Sequence, residues 1–395
     1  ALASPVLRFN GKLFKQPSQD GYSLLLSQEQ IGRLIRAAQA NWREVEPAIF
    51  GTLLERALSP TERHALGAHY TPRAYVERLV LPTVVEPLRA DWANEKAAAL
   101  VLAREAAGLA GKAQDAKQQA ACAEVRRFHH QLCSTRVLDP ACGSGNFLYV
   151  SMALMKQLEG EVLDALVQLG GQEALALEDR VIDPRQFLGL EVNPRAAAIA
   201  ELVLWIGWLQ LHYRQSKSDP GEPILKALHN IKCVDAVLTW DGYPLPRMVD
   251  GKDTYPGARQ PDWPMAEFIV GNPPFVGGKD IRSRMGDGYI EALWGAHRKV
   301  NNSADFVMYW WDHAAELLTA KGTVLRRFGL VTTNSITQVF QRRVVERHLI
   351  AQKPVSLLMA IPDHPWTKAS KDAAATGCKT SLGALAQSAK AMGCE

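Results

Sequence analysis

The sequence predicts an α/β protein, with one parallel sheet carrying helices on both faces. Three observations carry that prediction. Short apolar runs alternate with stretches of helical periodicity through most of the chain. Several runs end in glycines, a carboxylate or an Asn-Pro-Pro turn, the chemistry expected where ligands meet the carboxyl edge of an open parallel sheet. No segment repeats, which excludes a solenoid or a propeller.

Composition agrees. The chain has 395 residues, 47% apolar and 22% charged. That excludes a disordered chain, a collagen-like fibre and a membrane bundle. At about 150 residues per domain, the length fits two or three domains or one large α/β domain with additions. A net charge of +4 is too small to announce a nucleic-acid partner by itself. Six scattered cysteines suit a reducing cytoplasm better than a disulfide framework. Ala1–Asn10 has no apolar signal segment. The most apolar helical stretch, Leu202–Leu211, is shorter than the roughly 20 residues a bilayer crossing needs, so no membrane partner is expected.

Taken in order, Gln28–Leu58 reads as helices, with Ile31, Leu34, Ile35 and Ala38 at helical spacing, then Val45, Ile49, Leu53 and Leu54. Ser59-Pro60-Thr61 stops them. Gly67-Ala68-His69-Tyr70-Thr71-Pro72 is a loop, and Pro72 suits the first turn of a helix over Arg73–Leu81. Pro82 and Pro87 are expected to kink or end that helix. Ala93–Leu132, rich in Ala, Lys and Gln and free of proline, predicts a partly exposed helical insertion. Val137-Leu138 is the first strand, followed by a tight turn and a helix over Phe147–Leu158. Phe187–Val192 is the second strand, Ala196–Leu211 an apolar helix and Ile231–Val234 the third strand. Trp240–Pro264 holds five prolines and reads as a long loop. Phe268–Gly271 is the fourth strand, Asp305–Leu318 a helix, Phe328–Thr333 the fifth strand, Gln338–Leu349 a helix and Val355–Ile361 the sixth strand. Thr367–Glu395 has no aromatic, Val or Ile and predicts a disordered tail or a frayed helix, without a strand-like run.

Four strand ends carry chemistry. The first is Asp139-Pro140-Ala141-Cys142-Gly143-Ser144-Gly145-Asn146-Phe147, whose two glycines let the backbone turn tightly and approach a ligand. A dinucleotide site would want a third glycine where Leu148 stands, and a P-loop needs GxxxxGK[ST], which the chain lacks. Alone, the segment also fits a generic tight turn. The second is Glu191, placed to take both hydroxyls of a ribose or to be a plain exposed strand-end carboxylate. The third is Asp235, an acceptor for an exocyclic adenine amine or a turn cap. The fourth is Asn272-Pro273-Pro274-Phe275. Its prolines fix the loop, leaving the Asn272 side chain and the Pro273 carbonyl as acceptors and Phe275 as a stacking face.

Asp139–Phe147 taken together with Asn272–Phe275 resembles the amino-methyltransferases that use S-adenosylmethionine, and more narrowly the N6-adenine DNA methyltransferases. Ile49-Phe50-Gly51, Gly67–Pro72 and Ile361-Pro362-Asp363-His364-Pro365-Trp366 are similar to the methylase part of type IIG restriction-and-modification enzymes. The resemblance covers roughly Pro47–Trp366. It implies a Rossmann-like methyltransferase sheet with an N-terminal helical region over 1–66, a catalytic domain over 67–366 with a helical insertion at 93–132, and an atypical tail over 367–395. It implies S-adenosylmethionine as cofactor and double-stranded DNA as partner, in a restriction-modification or phage-defence system. Tyr70, Thr71 and Pro72 would lie near the methionine part of the cofactor; Asp139, Ala141, Gly143 and Gly145 would wrap it. Glu191 would hold its ribose and Asp235 its adenine. Asn272, Pro273, Pro274 and Phe275 would be the catalytic motif around a flipped target base, with Asp305-Phe306 and Thr332-Thr333-Asn334-Ser335 lining the pocket.

Weaker signals point elsewhere. Cys122, His129, His130 and Cys133 have metal-ligand chemistry, but one helix cannot wrap a tetrahedral ion, so no metal is expected and a packed helix face is the reading. Arg282, Arg284, Arg298 and Lys299, and Arg342, Arg343, Arg347 and His348, could meet phosphates or form solvated faces. No Glu has a Lys two residues later, so a PD-ExK nuclease is not evident. The competing functions are methylation of RNA or of a protein glutamine, or a cofactor-binding fragment without activity of its own. A target-recognition domain, separate or downstream, is a further expected partner.

Overall fold

The computed structural model describes residues 25–39, 41, 45–47, 49, 71–170, 180–216, 229–241, 247–249, 252–365 and 379–388. Gly67–Tyr70 of the predicted cofactor loop, and Phe50-Gly51, lie outside the described residues.

Helix α1, Gln28–Ala38, starts where Ser27 accepts from the Gln30 N–H at 3.3 Å and donates its own N–H to Gln30 Oε1 at 2.8 Å. The helical spacing of Ile31, Leu34 and Ile35 is met, and these side chains are exposed. Helix α2, Arg73–Val80, follows Pro72 and buries Val76, Leu79 and Val80. Helix α2 ends at Val80, before Pro82, as expected, but the helical path continues past both prolines. A five-residue π-helical turn, Leu81–Val85, carries the chain into α3, Glu86–Ala107. Within it the Glu86 N–H reaches back five residues to Leu81 O, and the displaced Pro82 carbonyl accepts from Arg327 at 2.6 Å. The helical insertion consists of two helices. Gly108 and Gly111 separate α3 from α4, Lys112–Ser134, and Gly111 takes a φ of +57°. The pair runs antiparallel, as the contacts Lys117–Glu105 at 2.6 Å and Gln131–Asp91 at 2.9 Å record.

The central sheet has five parallel strands, in the order β3 (Ile231–Cys233), β2 (Phe187–Glu191), β1 (Val137–Asp139), β6 (Phe268–Gly271) and β7 (Arg327–Thr333). A separate pair, β4 (Arg247–Val249) and β5 (Lys252–Thr254), falls within the stretch read as loop. Strand β8, Val355–Leu357, and β9, Ile361–Pro365, replace the single predicted strand over Val355–Ile361. The reading of the tail is corrected over Lys379–Ser388. These residues form β10, antiparallel to β7 on one side and to β8 and β9 on the other. Their sequence lacks β-branched bulk apart from Thr380, so main-chain pairing with neighbours on both sides, rather than local propensity, makes them a strand.

Both faces of the sheet are covered. Val137, Phe187, Phe268 and Val270 pack with α2–α4 and with α5, Asn146–Gln168, which contributes Phe147, Leu148 and Met152. Helix α6, Pro194–Ser216, joins that face through Ala200, Val203 and Leu204. The helix is longer than the stretch read from sequence, and Pro194–Arg214 is long and apolar enough, by length and composition, to cross a membrane. The other face places Leu138, Ile269, Phe328 and Leu330 against α9, Val307–Thr319, and α10, Val339–Leu349. Strand order reverses between β1 and β6. That is the point where an open parallel sheet leaves a crevice at its carboxyl edge.

Candidate active site

At the crevice, β1 ends on Asp139, which is 1% exposed, and β6 ends on Gly271. A Cβ on Gly271 would lie 2.6 Å from Asp139 Oδ1, so only glycine lets the two strand ends stand this close. The turn after Asp139 is held from several directions. Ala141 N–H donates to Asp139 Oδ1 at 3.0 Å, Cys142 N–H to Leu190 O at 3.0 Å, and Gly143 N–H to Glu191 Oε2 at 2.9 Å. The indole N–H of Trp310, on α9, donates to Pro140 O at 3.0 Å. Gly143 and Gly145 have φ of +53° and +82°, and a Cβ on Gly145 would come within 3.1 Å of Ala200 on α6.

Burial dominates the electrostatics. It drives the Asp139 pKa up to about 8, against the Ala141 hydrogen bond that works to lower it, with Glu191 adding to the rise. Burial also raises Glu191, although its two oxygens accept from Gly143 and Asn193 N–H. Each Glu191 oxygen keeps a lone pair for a ligand.

The fourth strand end is built around Thr71. Asn272 Nδ2 donates to Thr71 Oγ1 at 3.0 Å, and Asn146 Nδ2 donates to Thr71 O at 2.6 Å. Asn272 Oδ1, Asn146 Oδ1 and Asp139 Oδ2 are all buried without a hydrogen-bond partner. Two amide oxygens and a carboxyl that can release its proton form, at one sheet edge, a surface suited to N–H donors and cationic groups. Pro273 is buried, and Pro274 and Phe275 are half-buried. Phe275 packs at the margin of both core faces. Beyond it, Asp305 ties the loop down. Its Oδ1 accepts from Gly278 N–H at 3.0 Å and its Oδ2 from Thr333 Oγ1 at 3.3 Å and from Ser335 Oγ. Asp305, Thr333 and Ser335, each expected to line the pocket, are thus joined to one another by hydrogen bonds.

Asp235 lies as the turn cap that sequence allowed, its Oδ1 accepting from Val237 N–H at 2.8 Å and Leu238 N–H at 3.1 Å. Its Oδ2 accepts from Tyr289 O–H at 2.8 Å, and burial pushes the Tyr289 phenol well above its ordinary range. Neither Tyr289 nor Trp310 carries a local signal, and sequence reading missed both. Thr71 is buried, Pro72 caps α2, and Tyr70 lies outside the described residues.

The candidate metal set separates. Cys122 contacts Leu169 O, and His130 is exposed. His129 and Cys133 gather instead around Glu159 of α5, at 3.5 Å and 3.7 Å. Lys156 Nζ lies 2.6 Å from the other Glu159 oxygen, so the carboxylate already has its positive partner. Burial works to raise Glu159, but His129 and Lys156 outweigh it and lower its pKa. Of the basic candidates, Arg282, Lys299, Arg342 and Arg347 pair with acidic side chains of the chain itself. His348 is buried on Asp312 at 2.6 Å, which removes it from a phosphate-facing set. Arg284, Arg298 and Arg343 are exposed.

Residues 112–390 match the family described as the MmeI DNA-methyltransferase domain. The chain is 23% identical over 374 residues to DNA methyltransferase A of Bacillus subtilis strain 168, covering 93% of this chain and 37% of that protein. Its fold is similar to that of the type IIL restriction-modification enzyme MmeI solved in complex with DNA. The TM-score is 0.68 at 24% identity, over 96% of this chain and 44% of that one. The chain thus spans less than half the length of these relatives.

Proposed function

The chain belongs to the DNA-methyltransferase domain family of MmeI, and on that premise we propose that it methylates the N6 amine of adenine in double-stranded DNA, using S-adenosylmethionine. The observation that carries this reading is the buried, partnerless Asn272 Oδ1, presented by a proline-fixed loop across the crevice from a glycine-rich turn. The residues fit the cofactor. Asp139 and Asn146 offer unpaired acceptors to a cationic amino-acid group, Glu191 keeps lone pairs for ribose hydroxyls, and Gly143 and Gly145 admit close backbone approach. Asp235 faces two roles, as turn cap and as adenine acceptor, with Tyr289 holding it in place.

An adenine amine is a weak nucleophile because its lone pair is delocalised into the ring. Asn272 Oδ1 and the Pro273 carbonyl accept its two N–H groups and draw them out of the ring plane, so the lone pair localises. When bound, S-adenosylmethionine would be held by Asp139, Asn146, Glu191 and the Gly143–Gly145 turn and would supply the electrophilic methyl, while the surplus proton of the amine would leave to water. Asn272 and Pro273 thus contribute positioning and stabilisation of a developing ammonium. The target base must leave the duplex to reach them, and Phe275 stacks on it there, offsetting part of an unstacking cost of a few kcal/mol. The exposed Arg284, Arg298 and Arg343 are the candidates for phosphate contacts. Sequence selection we assign to a target-recognition unit distinct from this catalytic sheet, within a restriction-modification system.

The test is methyl transfer from tritiated S-adenosylmethionine by the full chain to duplex DNA, with the labelled nucleoside identified by mass spectrometry. N6-methyladenine is expected, and Asn272→Ala abolishes it while cofactor binding persists. Label in RNA, protein or cytosine instead, or cofactor binding without turnover on any duplex, would overturn the reading.

A further inference from the structure

Thr71 hydrogen-bonds both Asn146, on the cofactor side, and Asn272, on the target side, and each of these amides keeps a buried, unpaired oxygen. Its hydroxyl is 3.0 Å from Asn272 Nδ2, across 201 positions of sequence, and its carbonyl is 2.6 Å from Asn146 Nδ2. It is only 5% exposed. The residue is rigidly held: Pro72 follows it, and α2 beyond buries Val76, Leu79 and Val80 in the core. Asn272 is equally constrained, with β6 before it and two prolines after it.

A primary amide has two ends of nearly equal size and opposite hydrogen-bonding character. Only one orientation of Asn272 presents an acceptor to a substrate amine. The other would present two N–H donors to a group that is itself a donor. Buried amides are oriented by the partners they find, and among the described residues the partner of the Asn272 amide is Thr71 Oγ1, a hydroxyl able to donate or accept that here accepts from Nδ2. With Nδ2 bound there, Oδ1 is left on the opposite side of the amide plane, buried and unpaired.

We propose that Thr71 is a positioning residue for methyl transfer, its hydroxyl accepting from Asn272 Nδ2 and so fixing Oδ1 as the acceptor for the target amine. This rests on the catalytic role assigned to Asn272 above. It is separable from the cofactor-side role that the loop resemblance gives Thr71, because loss of the Asn272 contact slows the chemical step even when the cofactor is saturating. The carbonyl bond to Asn146 is a main-chain property and survives substitution of the side chain.

The experiment compares the parent chain with Thr71→Val, Thr71→Ala, Thr71→Ser and Asn272→Ala. It measures single-turnover transfer to duplex DNA at saturating S-adenosylmethionine, cofactor dissociation constants by calorimetry, and folding by thermal denaturation. At saturating cofactor, Thr71→Val is expected to slow single-turnover transfer by about ten- to a hundredfold, since small misplacements of a reacting group cost rates of that order. Thr71→Ser restores the acceptor and most of the rate. Thr71→Ala gives the same reading should the valine variant not fold. Parental rates in Thr71→Val or Thr71→Ala would overturn the proposal, as would a loss fully explained by weaker cofactor binding. If Asn272→Ala is inactive while the Thr71 variants are normal, only this inference fails; if Asn272→Ala is itself active, the assignment of the catalytic loop fails with it.

Discussion

Asp139 illustrates what a single residue costs the unliganded fold. Its carboxyl is fully buried, one oxygen has no partner, and its pKa stands at about 8 instead of 3.8. A raised carboxyl pKa means that the folded state holds a proton the unfolded chain has already released. Stability is therefore fullest below the unfolded value and falls as pH rises from about 4 towards about 8. Asp139→Asn removes that titration. The parent is expected to lose more thermal stability between pH 5 and pH 8 than the variant, as read by differential scanning calorimetry; equal losses would contradict the assignment. The same residue was legible in sequence as the end of the first strand, before a glycine turn. Its protonation was not, because that depends on Glu191, Gly271 and the helices that exclude water from it.

At the scale of elements, the strands that carry the site were readable and their supports were not. Phe268–Gly271 and Phe328–Thr333 stand out as short apolar runs, and both are buried strands. Phe328 is fully buried against Trp311 of α9, ring centroids 5.5 Å apart. Phe328→Ala should therefore destabilise the fold by about 3–5 kcal/mol, measured by denaturant unfolding, and a loss under 1 kcal/mol would contradict that packing. The proline-rich joint between α2 and α3 was read as a break because Pro82 removes an amide and crowds the preceding turn. A π turn and Arg327 re-pair the carbonyls, and Arg327 comes from the far end of the sequence. The insertion was read as helical because it lacks proline, with no division marked within it. Two glycines and the antiparallel packing of Trp92 on Phe128 make it two.

Across the whole molecule, the sheet order explains why residues from three separate stretches converge. Strands β1, β2 and β3 run outward on one side, and β6 and β7 on the other, so Asp139, Glu191 and Asn272 gather at one edge. Strand β10 extends that sheet between β7 and β8. A chain ended after Trp366 would leave the main-chain groups of β7 unpaired along that side. It is expected to unfold at lower temperature and to aggregate in size-exclusion chromatography. Parental stability and a sharp monodisperse peak would show that β10 contributes nothing. What the sequence by itself determined was the alternation of strand and helix, the two glycines of the first turn, and Asn-Pro-Pro-Phe at the fourth strand end. These are local matters of periodicity and backbone stereochemistry. What only the tertiary structure decided was which side chains meet: Thr71 with Asn272, Tyr289 with Asp235, Trp310 with Pro140, Lys156 with Glu159, and a polar tail segment paired into the sheet. Those contacts join residues far apart in sequence, and their partners, burial and charge arise only when the chain has folded them together.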